Sequence, residues 1–328
     1  MMTIKGRRIL LLILLASISI FAVFALSIGS ADVQSPWSYI FNRSLDGAGH
    51  QIIWEIRYPR VMAALLIGMA LGVAGALSQS ATNNPLADPS IIGTSAGASF
   101  GASLAIVLNL ASVGTFGATI AAAIGALAVS LLTFALSRSA LQLVIVGIAT
   151  SALFTALTGL LISMADKPEA RSISFWSFGS LALVNMNTLA LLTPMVLVIS
   201  ILGWYYSQRM DLLVLGDREV SHLGFNPQRM RLIAFIVISL LIAVSVSTVG
   251  SIAFLALAAP HITRFLIGPS NRPLMIGSAV IGGGLLLIAD TAARTLAAPI
   301  ELPIGLITSL IGAPILILVL RKSGEVWR

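Results

Sequence analysis

The sequence predicts an all-α polytopic membrane protein with about ten transmembrane helices. Three observations predict it. The 328 residues are 58% hydrophobic and only 9% charged, whereas a soluble domain carries about 25% charged residues. The apolar residues fall in runs of roughly 20, the length that crosses a bilayer core as a helix. Most charges lie between those runs. A single soluble core cannot enclose this much apolar surface, but lipid tails accept it on the outside of a helical fold.

The predicted spans are 9–29, 61–81, 90–110, 112–136, 140–164, 181–206, 232–249, 251–267, 274–293 and 300–320. The first follows Lys5, Arg7 and Arg8 and exceeds the roughly 7–15 apolar residues of a signal peptide. It is therefore read as a retained helix, although the small residues Ser27 and Gly29 leave cleavage open. The second starts at a proline, Pro59, a residue suited to a first helical turn. Its run Leu71–Ala76 is made of small residues that let helices approach closely. Asn84-Pro85 and Asp88-Pro89 favour a turn before the third span. The glycine-rich stretch Gly93–Gly101 in that span has the composition of a phosphate loop. No Lys follows it and it lies in apolar surroundings, so it is read as helix packing. Spans four to six are uninterrupted apolar runs. Residues 232–267 are too long for one span and are divided at Gly250-Ser251. The last span is opened by Glu301-Leu302-Pro303, a carboxylate favoured at a helix N-terminus.

Ten spans put both termini on the same side. With both inside, thirteen of the nineteen Lys and Arg residues fall on the inner face, the bias of the positive-inside rule. This places the termini in the cytoplasm. The net charge of +7 is scattered between apolar runs, which argues against nucleic acid as a partner. The absence of Cys excludes disulfides, thiolate metal sites and a cysteine nucleophile. The chain reads as one transmembrane domain, 1–328. Its largest polar stretches are 30–60 and 165–180 outside and 207–231 inside. The sequon Asn42-Arg43-Ser44 is read as chance.

The three lysines, Lys5, Lys167 and Lys322, do not occur in the pattern G-x-x-x-x-G-K-[ST], so no Walker-type ATP hydrolysis is expected. His50, His222 and His261 are too scattered to suggest a metal site, and no catalytic constellation stands out. Ion-coupled carriers place ionisable residues mid-membrane. Here Asp88, Asp290, Arg294 and Glu301 fall at span ends. A secondary carrier is therefore the weaker reading, and energy from an associated ATPase the stronger.

The order of motifs resembles a known family. Arg57-Tyr58-Pro59-Arg60 is followed by Asn84-Pro85-Leu86-Ala87-Asp88-Pro89 and Gly93–Ala98. Later come Leu215-Gly216-Asp217 with Leu223-Gly224, then Pro260-His261-Ile262-Thr263-Arg264 and Ala289–Arg294. Glu301–Gly305 and Gly312-Ala313-Pro314 close the series. From about Arg57 to Arg321 the chain resembles the FecCD-type permeases of ABC importers for iron–siderophores, haem and vitamin B12. The resemblance implies helices 2–5 and 7–10 related as an inverted repeat. It implies a second permease subunit, identical or not, and a translocation path along their interface. It implies two cytoplasmic ATPase subunits, which carry ATP and Mg, and an extracytoplasmic substrate-binding protein. This chain would bind no cofactor or metal itself. The class most often met in the family is iron–siderophore import, with haem or cobalamin as the alternative.

Site residues are expected as follows. Arg57, Arg60 and Arg294 lie at outer helix ends. They either anchor helices as snorkelling charges or, as the resemblance implies, form a docking patch for acidic residues of the binding protein. Asp290 precedes Arg294 by four and is placed to pair with it. The segment 207–231 is long for a structureless loop and reads as two short helices broken around Gly216 and ended by Gly224. The resemblance makes it the ATPase coupling segment, with Leu215, Gly216, Asp217, Arg218, Glu219, Leu223 and Gly224 as its contacts. Asn84 and Pro85 read as a tight turn. They and Ala140 and Leu141 match the family's inner gate region loosely.

Overall fold

The computed structural model describes residues 4–112, 115–137, 139–165, 173 and 177–323, without the side chains of 91, 92, 140, 141 and 315–323. Arg138, Asp166, Lys167, Glu169 and Arg171 lie outside the described residues. Ten principal helices follow one another: α1 (Ile4–Ser27), α2 (Tyr58–Ala81), α3 (Thr94–Val107), α4 (Phe116–Leu136), α5 (Ala140–Met164), α6 (Met186–Met210), α7 (Pro227–Val249), α8 (Leu255–Ile267), α9 (Asn271–Thr295) and α10 (Ile304–Ser323). Each expected span has its helix. Seven are long and apolar enough to cross a membrane; α3, α8 and the described apolar part of α10 are shorter.

The chain chemistry accounts for the boundaries. Ser139, Asn185 and Asn226 cap α5, α6 and α7, each side chain accepting from a first-turn backbone N–H. Pro59 and Pro227 stand in first turns, where a missing N–H costs nothing. Two spans are corrected. The third was expected over 90–110, but Pro89–Ile92 is a separate 3-10 turn and Gly93 breaks the chain at φ 84°. The eighth was expected over 251–267, but the chain leaves α7 at Gly250, φ 77°, and stays non-helical to Phe254. Helices of 14 and 13 residues are about 21 and 20 Å long, short of a hydrocarbon core of about 30 Å. Non-helical backbone at that depth is tolerated where protein or a cavity surrounds it.

The packing shows the repeat. α2 lies against α9 and α8, and α7 lies against α4 and α3. Each repeat thus inserts its first helix between the second and third helices of the other. Since α2 and α7 are five spans apart, they run in opposite senses, which makes the repeat inverted. α2 is apolar all round and buried along its length, as such a helix must be. Its glycines set the spacing. A methyl on Gly68 would stand 2.3 Å from the Gly282 carbonyl oxygen, and one on Gly75 would stand 1.7 Å from that of Ala256. The run Gly93–Gly101 also packs as expected: Gly97 and Gly101 lie against the backbone of Gly125 and Ala121 in α4. By contrast α1, α4, α5 and α6 expose many leucines and isoleucines, the surface that lipid or a second subunit covers.

Candidate functional site

Arg57, Arg60 and Arg294 sit together at the outer ends of α2 and α9, but not on the surface. They are 4%, 4% and 2% exposed. Arg60 donates through Nε to Asp290 Oδ1 at 2.8 Å and through Nη1 to both oxygens of Glu301 at 3.0 and 2.8 Å. Arg294 reaches Asp290 Oδ2 with its Nε at 3.4 Å, the anticipated pair four residues apart. The remaining guanidinium nitrogens turn to the end of α1. Arg57 donates to the carbonyls of Leu26 and Ala31, and Arg294 to those of Ile28 and Ala25.

The three arginines are thus at outer helix ends as expected, and buried there. The physical reason is the end of α1, whose last carbonyls have no partner within the helix. A guanidinium fork supplies the missing donors, and two carboxylates balance the charge it brings. The outer surface offers other charges instead. Glu301 keeps 30% of its side chain exposed. Arg43 is exposed and stacks over the Trp54 ring at 4.5 Å.

On the inner face the segment 207–231 has the expected form, two short helices broken at Gly216. Asp211–Leu215 is a 3-10 turn, Gly216 turns the chain, and Asp217–His222 is a short helix. Gly216 has φ 93° and ψ 155°, a region open essentially to glycine alone. Gly224, at φ 84°, closes the helix. Its N–H reaches Ser221 O and that of Phe225 reaches Val220 O, the two bonds of a Schellman end. Leu213 and Val220 are buried and pin the segment to the bundle. Val214, Leu215, Leu223 and Phe225 are 66%, 55%, 56% and 43% exposed, apolar surface that none of the described residues covers. Arg218 and Glu219 are exposed beside it.

Asp217 has a partner within the chain. Its two oxygens take Arg231 Nη1 and Nη2 at 2.7 and 2.6 Å, while Arg231 Nε donates to Ala81 O at 3.1 Å. The hydrogen bonds from Arg231 hold the Asp217 carboxyl below the usual carboxylate range against the opposing effect of burial. A second tie runs through Asp211 Oδ1, which accepts from the Asn271 backbone N–H and side-chain amide at 3.1 and 2.9 Å. Ser80 Oγ hydrogen-bonds the same Asn271 side chain. Arg231, Asp211, Asn271 and Ser80 escaped the sequence reading.

Asn84 and Pro85 form the turn expected of them. Asn84 Oδ1 accepts from Leu86 N at 3.0 Å, and Asp88 caps the next turn by accepting from Ser90 N at 2.8 Å. Ala140 and Leu141 open α5, and their side chains lie outside the described residues. A cavity of about 320 Å³ joins this turn to the break of the other repeat: Leu86, Asp88 and Ser90 line one side, Gly250 to Phe254 the other.

The FecCD transport family model matches residues 12–322. This chain belongs to that family. Its members include the hemin transport system permease protein HmuU of Yersinia pestis, 37% identical over 97% of both chains. The iron(3+)-hydroxamate import system permease protein FhuB of Bacillus subtilis is 36% identical over 97% of this FecCD chain and 84% of its own. Among solved structures, one described as a metal-chelate type ABC transporter in an inward-facing conformation superposes with a TM-score of 0.87 at 31% identity. It covers 95% of this chain and 99% of its own. The FecCD chain is thus an ABC transporter permease of the membrane, built of the helices described above.

Proposed function

We propose that this FecCD permease forms, with a second permease subunit, the membrane path of an ABC importer for ferric siderophores. A binding protein delivers the iron chelate from outside, and two ATPase subunits drive its passage from the cytoplasm. The observation that carries the reading is the inner segment 211–225. Its exposed Leu215 and Leu223, with Val214 and Phe225, offer an apolar face on a rigid, moored element, on the side where the basic residues collect. An uncovered apolar patch of this kind is what a partner protein seats upon. Arg218 and Glu219 give that contact its charge, Gly216 and Gly224 its shape. Arg57, Arg60 and Arg294 act at the outer face by fixing the rim on which the binding protein lands, while the exposed Glu301 and Arg43 meet it.

The substrate class rests on relatives that carry hydroxamate-bound iron or hemin. Haem is the second reading, favoured by the hemin permease at 37% identity. Reconstitution in vesicles with candidate ATPase and binding-protein partners tests both. ATP-dependent accumulation of a ferric hydroxamate, and not of hemin or cobalamin, is the expected result. Accumulation driven by a proton gradient with no ATPase present would overturn the reading in favour of a carrier.

A further inference from the structure

The coupling segment is tied to the bundle at two points, and both lie on one helical turn. Asp211 reaches Ser80 through Asn271, and Asp217 reaches Ala81 through Arg231. Ser80 and Ala81 are the last two residues of α2. The next residues, Thr82 to Asp88, form the turn that borders the cavity between the repeats. Leu213 and Val220 are its buried apolar pins, and a side chain at Gly216 would meet nothing within 4 Å among the described residues.

We propose that Arg231 is a positioning residue for transport: it transmits displacement of the ATPase-facing helix Asp217–His222 to the inner end of α2 and the turn beyond it. The inference rests on the reading of this chain as an ATPase-driven importer. Three features carry it. All three guanidinium nitrogens are engaged, in a two-pronged bond to Asp217 and a third bond to a backbone carbonyl, a geometry a lysine cannot copy. Its side chain is only 12% exposed, so it lies beneath the surface a partner would cover. And α2 cannot yield in its length. Gly68, Gly72 and Gly75 press its backbone on that of α9 and α8, and packed elements of this kind shift as units. A push on the short helix therefore arrives at the 82–88 turn.

The test uses the full permease with its ATPase partner in vesicles and compares wild type with Arg231→Met and Arg231→Lys. The chain has no Cys, so spin labels at the exposed His222→Cys and Leu86→Cys report the two ends of the path. In wild type both labels should move on ATP binding. In Arg231→Met the ATPase should still co-purify, label 222 should still move and label 86 should move less, the tie through Asp211 and Asn271 being left. Uptake per ATP hydrolysed should then fall about tenfold, within the range of coupling between linked sites. Arg231→Lys should fall between. Unchanged movement of label 86 and unchanged uptake per ATP in Arg231→Met would overturn the proposal. If Arg231→Met does not fold, Arg231→Lys decides by the same two readouts. Failure of the wild type itself to engage any ATPase would instead refute the importer reading.

Discussion

Gly72 in α2 faces the Ser278 carbonyl of α9 so closely that a methyl group there would lie 2.0 Å from the oxygen. The neighbour is backbone, which cannot rotate away. Two helices meeting through such positions gain dispersion contact over their whole length, the main attraction available in lipid. Gly72→Ala should therefore separate α2 from α9 at a cost at the upper end of the roughly 1–3 kcal/mol typical of overpacking. Thermal unfolding in detergent should fall by several degrees. Gly159, with nothing within 4 Å of an added methyl, is the control that should tolerate alanine.

The outer charge cluster predicts a different loss. Asp290 is fully buried between Arg60 and Arg294. Removing one member of a buried pair leaves the other uncompensated, at about 3–5 kcal/mol. Asp290→Ala should thus destabilise the permease strongly even without any partner, as read by unfolding temperature. Added salt should change wild-type stability little, because buried pairs are poorly screened. A large salt effect on the isolated permease would mean that this cluster is open to solvent.

Gly216 separates shape from space. A side chain there meets no atom within 4 Å, so substitution brings no clash. It must still adopt φ 93° and ψ 155°, and strain at such a position is about 1–3 kcal/mol. Gly216→Val should leave overall unfolding nearly unchanged and reduce ATPase co-purification. Co-purification at wild-type yield would remove this turn from the coupling surface.

The Asp217–Arg231 pair fixes a pH dependence. The Asp217 carboxyl is held below its ordinary value by its bonds to Arg231. A group depressed in the folded state adds stability above its unfolded value, and loses it as pH falls through the folded one. The spacing between labels at 222 and 86 should stay constant from about pH 8 to 5 and broaden only below the ordinary carboxylate value of about 3.9. Broadening near neutral pH would mean that another group governs the tie.

The helices were legible because lipid makes the pattern simple: a span needs apolar length, and Gly250 or Asn84-Pro85 marks its end. The broken helices were less so. Residues 90–110 and 251–267 remain apolar through their breaks, and only Gly93 and Gly250 mark the change in backbone. The turns of the segment 207–231 were legible, since Gly216 and Gly224 have local conformational roles. The burial of the outer arginines was not. Charge and position place them at the outer rim, but burial depends on Asp290, Glu301 and the carbonyls at the end of α1. Those partners come from distant parts of the chain. The same holds for Arg231, whose carbonyl partner Ala81 lies 150 positions away.

The clasp on α1 has a consequence in time. Arg57 reaches a carbonyl 31 positions back, whereas Arg294 reaches one 269 positions back. At a synthesis rate of about 5–20 residues per second, the second donor arrives on the order of tens of seconds after the helix it closes upon. Until then the nascent first helix stands at the edge of an unfinished bundle with several of its last carbonyls unanswered. Because the arginines grip backbone and not side chains, what the wait demands of α1 is apolar length and a correctly placed end. Most of its lipid-facing residues can therefore be exchanged among apolar types before biogenesis fails.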